Sequence, residues 1–113
     1  MPFIKTTSNV QISARKAAAI KARMGEAIEL IPGKSENWLM LQFVDDATMF
    51  FKGEDEPCAV CEVKLFGSAD EESYTALTGA LTDTLREELD IDPDRIYVTF
   101  EEIGVWGWNG GLL

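Results

Sequence analysis

The sequence predicts an α+β fold (α/β in the looser usage). Two βαβ repeats would share a four-stranded mixed sheet with two helices on one face. Three observations carry this. The order strand, helix, strand occurs twice along the chain. A shift of 57 positions aligns Leu39 with Ile96, Leu41 with Val98, Phe43 with Phe100 and Asp45 with Glu102. Finally, 113 residues at 46% hydrophobic and 27% charged suffice for one core and not for two. A single domain over 1–113 follows, with internal repeats at about 2–46 and 57–103.

Each element has its own signal. Phe3 to about Val10 is β-prone and short. Ser13 is a good N-cap, and Ala17, Ile20, Met24, Ala27, Ile28 and Ile31 follow at helical spacing until Pro32-Gly33. Trp38 to Val44 reads as a buried strand ending in Asp45-Asp46. Met49-Phe50-Phe51 reads as a short strand, with Lys52-Gly53-Glu54-Asp55 as an exposed turn. Cys58 to Phe66 is the next strand, closed by Gly67. A second helix opens at Ser68, with Glu71 at capping-box spacing and a stripe of Tyr74, Leu77, Leu81, Leu85 and Leu89. Arg95 to Phe100 is the last strand, before a tail rich in glycine and tryptophan. Because residues 38–44 are apolar on both sides, the sheet face opposite the helices should be apolar and in need of a partner subunit.

Charge and composition exclude whole classes of function. Ten basic against 20 acidic residues give a net charge of −10, which disfavours nucleic-acid binding. The imbalance is local: residues 1–64 hold 8 basic and 9 acidic groups, residues 65–113 hold 2 and 11. A solvated, solubilising surface is the plain reading of that acidic block. No stretch approaches the roughly 18 apolar residues of a membrane span, so no membrane partner is expected. The first residues carry no secretory signal pattern, and a cytoplasmic location is the default. There is no histidine, so Ser-His-Asp triads, Cys-His pairs and histidine metal sites are ruled out. No metal and no cofactor are expected.

Two residue sets invite chemistry. Cys58 and Cys61 form a Cys-x-x-Cys, but in a strand, residues three apart point to opposite faces and lie roughly 10 Å from each other. A structural role is the simpler reading. Pro2 is the more unusual candidate. Methionine before a small residue is usually removed in cells, which would expose Pro2 as a secondary amine. Burial or a neighbouring cation lowers the pKa of such an amine toward neutrality, where it can take and return a proton. The plainer alternative is a proline that merely leads a strand.

Pro2 at the start, Gly33-Lys34, Glu56-Pro57-Cys58-Ala59-x-Cys61, Pro93-Asp94-Arg95-x-Tyr97 and Gly107-Trp108-Asn109 occur in that order over the whole chain. In this the chain resembles the macrophage migration inhibitory factor family of the tautomerase superfamily, which includes phenylpyruvate and D-dopachrome tautomerases. The resemblance implies a homotrimer with a pocket at each subunit interface and Pro2 at its base. It implies keto–enol tautomerisation of a small aromatic 2-oxo acid, with Pro2 moving the proton. Lys34 would hold the substrate carboxylate and depress the Pro2 pKa. The backbone N–H of Phe66 would contact the substrate. Tyr97 would come from the adjacent subunit, and Trp108 would stand near the rim.

Departures from the family pattern bear on specificity. Trp38 stands in place of a tyrosine, Thr99 in place of an asparagine, and Leu113 where a phenylalanine often sits. For Lys34, a solvated lysine beside helix carbonyls is the alternative; for Phe66 and Tyr97, ordinary strand or core residues; for Trp108, interface packing. The rival function is a cytokine-like protein that binds a host receptor with a vestigial pocket, and with it goes secretion without a signal peptide.

Overall fold

Ser13 starts the first helix as its spacing predicts. Its hydroxyl accepts the Lys16 N–H at 3.1 Å, capping α1 (Ala14–Ala27). The helix stops four residues earlier than the apolar spacing suggests, because Ile28–Leu30 tighten into a 3-10 turn that still buries Ile28 and Ile31. The computed structural model describes all residues, 1–113. Around α1 run β1 (Pro2–Ser8) and β2 (Met40–Val44); the second unit repeats the pattern with β3 (Ala59–Phe66), α2 (Glu71–Leu89) and β4 (Ile96–Ile103). A terminal hairpin pairs β5 (Gly107–Trp108) with β6 (Gly111–Leu112).

The sheet order is β2-β1-β3-β4. β1 and β2 are parallel, β3 and β4 are parallel, and the two units meet along antiparallel β1 and β3. Every second residue of β1 and β3 faces the helices: Ile4 opposes Val63 and Thr6 opposes Cys61, all at most 1% exposed. Ile20 and Met24 of α1 and Leu77, Leu81 and Leu85 of α2 close over them in one core. No helix is long and apolar enough to cross a membrane.

Several boundaries differ from expectation, each for a local reason. Residues Glu36–Trp38 form a 3-10 turn, so β2 begins at Met40 rather than Trp38. Met49-Phe50-Phe51 is not a strand. Phe51 and Glu54 instead exchange backbone hydrogen bonds across a tight turn with Lys52 and Gly53 at positive φ. Asp70, not Ser68, caps α2: its carboxylate accepts the Ser73 N–H at 2.7 Å, which two negative residues in the first turn accompany. Tyr74 is only half-buried, lying against Phe100 with its hydroxyl on Glu102 at 2.6 Å. β4 extends three residues past Phe100 to Ile103.

The face opposite the helices is not the apolar surface anticipated. Strand alternation brings Lys5 opposite Glu62 there, and Lys64 forms a 3.9 Å ion pair with Glu101. Apolar side chains such as Met40 and Tyr97 are exposed at the rim of this polar centre. The reason is arithmetic. Alternation turns Lys5 of β1, Glu62 and Lys64 of β3 and Glu101 of β4 onto that face, and the edge strand β2 adds Gln42 beside Lys5.

Both cysteines are free and buried. Cys61 belongs to the core, where burial pushes its thiol pKa up to about 11 despite a 3.4 Å contact with the Thr6 hydroxyl. Cys58 precedes β3, its N–H held by Asn9 and its carbonyl by Ser8.

Candidate active site

Parallel pairing within each unit and antiparallel pairing between them bring four strand ends together. β1 and β2 begin where β3 and β4 finish, so Pro2, Met40, Phe66 and Ile103 converge. The tail then folds over this end. Trp108 meets Trp38 edge-on, ring centroids 5.1 Å apart at 81°. The Leu113 N–H donates to the Trp106 carbonyl at 3.0 Å, securing the hairpin. Together they bound a cavity of about 610 Å³ whose walls include Met1, Pro2, Trp38, Ile103, Trp106 and Trp108. All three tryptophans of the chain line it.

The turn after α1 delivers the cation. Gly33 adopts φ +81°, which a side chain would resist, and the Lys34 N–H closes onto the Ile31 carbonyl at 3.1 Å. From there the Lys34 ammonium reaches the end of β3 and donates to the Phe66 carbonyl at 2.9 Å. The neighbouring Phe66 N–H donates to the Met1 carbonyl at 3.0 Å. Burial, then the charge of Lys34, then its hydrogen bond lower the pKa of the chain's terminal amine, carried by Met1, from 8.0 to about 6. Most of it is neutral at pH 7. While Met1 remains, the Pro2 nitrogen is an amide without a free lone pair, and the Phe66 N–H is occupied.

An uncharged amine beside a fixed cation, inside an aromatic wall, can move a proton on an anionic, ring-bearing molecule. No set of three or more His, Cys, Asp or Glu side chains comes together that could hold a metal.

The comparisons fit this geometry. The model of the family described as macrophage migration inhibitory factor (MIF) matches residues 1–113. The chain belongs to the macrophage migration inhibitory factor family. It is 30% identical over 119 residues to the macrophage migration inhibitory factor of Meriones unguiculatus, covering 100% of this chain and 99% of that one. It is 28% identical to the D-dopachrome decarboxylase of Mus musculus, covering 94% and 90%. The crystal structure of Leishmania major MIF2 superposes with a TM-score of 0.94 at 28% identity, covering 100% and 97%.

The family's fold gathers part of the expected site within one protomer and leaves part outside. Pro2, Lys34, Phe66, Trp38 and Trp108 meet at one end of the sheet. Tyr97 does not. It pairs with Val60, five residues along β3 from the Leu65 that pairs with Pro2, or about 17 Å away. There it lines a separate cavity of about 240 Å³ with Phe50, Phe51 and Arg95. Thr99 is exposed on the open sheet face opposite Glu62. Leu113 touches the site only through its bond to Trp106. Sequence reading missed Trp106 and Ile103. Alternation continued past Phe100 would have placed Ile103, and Trp106 lies two residues before a residue already singled out.

Proposed function

We propose that the chain, once Met1 is removed, is a cofactor-independent keto–enol tautomerase of phenylpyruvate-like 2-oxo acids. One observation carries this reading: a terminal amine with its pKa lowered to about 6 stands beside Lys34 at the base of a tryptophan-walled cavity. Removing Met1 frees a new secondary amine at Pro2, one residue along from that position and in the same cavity wall, and releases the Phe66 N–H from the Met1 carbonyl. The Pro2 nitrogen takes a proton from the carbon next to the keto group, and the enolate oxygen receives it back, so no atom or electron is gained. Lys34 meets the carboxylate and the Phe66 N–H meets an oxygen of the substrate. Trp38 and Trp108 enclose the ring. A relative named for D-dopachrome supports an aromatic substrate.

The active assembly is a homotrimer. Tyr97 is 60% exposed and far from its own Pro2, so it is available only to the pocket of another copy. The test is intact mass followed by a phenylpyruvate assay on the same sample. Protein lacking Met1 is expected to turn over, protein retaining it is expected not to, and processed wild type without activity sinks the proposal. Tight binding to a host receptor by such inactive protein would favour the cytokine-like reading.

A further inference from the structure

Arg95 is the second of only two arginines beyond residue 23, and its guanidinium appears in no ion pair. Its donors are spent on main-chain carbonyls instead. Nε donates to Pro57 at 2.9 Å, Nη1 to Phe51 at 3.2 Å, and Nη2 to Glu54 at 3.2 Å and Glu56 at 3.0 Å. Asn9 assists from the other side, donating to the carbonyls of Asp55 and Glu56. Residues 52–57 are all exposed, so this clamp stabilises no apolar core. What it fixes is the Phe51 ring, which lies 5.1 Å from the guanidinium and edge-on to Tyr97 at 5.3 Å and 89°. β4 is an edge strand, and Phe51 is the one aromatic ring against Tyr97.

We infer that Arg95 is a positioning residue: by clamping 51–57 it seats Phe51, and Phe51 sets the Tyr97 ring that the neighbouring subunit's pocket receives. This rests on the tautomerase reading and its shared pocket. A lysine cannot replace the clamp, because one ammonium cannot reach four carbonyls in a fixed fan.

The test uses Met1-processed trimer bearing Arg95→Ala, Arg95→Lys or Phe51→Leu, with assembly checked by sedimentation. Phenylpyruvate KM is expected to rise about three- to tenfold in all three, the range spanned by one edge-to-face aromatic contact. The kcat should stay within about twofold, and amide exchange over 51–57 should quicken in the two Arg95 variants. An unchanged KM in Phe51→Leu, a kcat that falls in step, rescue by lysine, or loss of the trimer in all three variants overturns the inference. If processed wild type turns over and these variants match it, Arg95 alone is misassigned. If wild type is inactive, the tautomerase reading has failed, and tryptophan quenching by phenylpyruvate gives the same comparison as a Kd; equal values overturn the inference there too.

Discussion

The two ends of the sheet are built from the same strands and do opposite things. At one end Pro2, Phe66 and Ile103 meet beneath a tail that bounds a cavity of about 610 Å³, with the terminal amine of Met1 at its wall and Lys34 beside that amine. At the other, Tyr97 and Phe50 are largely exposed on a rim held by a single arginine. In the proposed tautomerase, the first end would supply the reacting group and the second an aromatic wall. If both ends serve the proposed reaction, a single chain cannot join them, because its own sheet offsets them by about 17 Å along the strands.

The largest expected effect comes from removing the base. Pro2→Gly in processed protein should lower kcat/KM about a hundredfold or more, the scale of a lost general acid–base group. The fold should survive, with circular dichroism unchanged. Next is Lys34→Ala. Losing a charged hydrogen-bond donor should raise KM roughly tenfold or more. The same change removes a charge that holds the amine pKa down. The basic form would then appear only at higher pH, moving the acid limb of kcat/KM upward. A KM and a limb both unmoved would take Lys34 out of the site.

How far the sequence could be read follows the same division. The helices were legible because Ser13 and the leucine stripe act locally. The cap of α2 falls two residues past the Ser68 that the spacing predicts, at Asp70, after Gly67 turns at φ +91° and the chain leaves β3. Met49 to Phe51 has strand composition but no neighbour within the chain to pair with, so it turned instead. The polarity of the open sheet face is not legible from residues 38–44 alone, because most of its charges come from Lys5, Glu62, Lys64 and Glu101 on the other three strands. In the site, Pro2 and Lys34 lie in the spaced motifs, and Phe66 follows only from the family resemblance that those motifs carry. Ile103 is reachable by continuing the β4 alternation, whereas Trp106 needs the tail folded across the end of the sheet, a long-range fact that no local pattern contains.

A smaller effect probes the exposed end. Tyr97→Ala should raise KM a few-fold and leave kcat nearly intact, since it removes a wall and not the base. Mixing Tyr97→Ala with Pro2→Gly chains and reassembling them should restore wild-type KM in some sites, because each chain supplies what the other lacks. Absence of restored sites would mean that both halves act within one chain. The smallest effect is expected at Cys58 and Cys61. Both are buried, and burial pushes the Cys61 thiol up to about 11, so native protein should resist alkylation at pH 7.5 and Cys58→Ser should leave KM unchanged.

The central claim concerns the proton state of one nitrogen. NMR titration of isotope-labelled Pro2 in Met1-processed trimer, followed beside the pH dependence of kcat/KM, reads that state directly. One shared pKa well below the ordinary range of a free proline amine is expected, with activity lost as pH falls through it, and an upward move of both in Lys34→Ala. A Pro2 amine that stays protonated throughout the active pH range would contradict it.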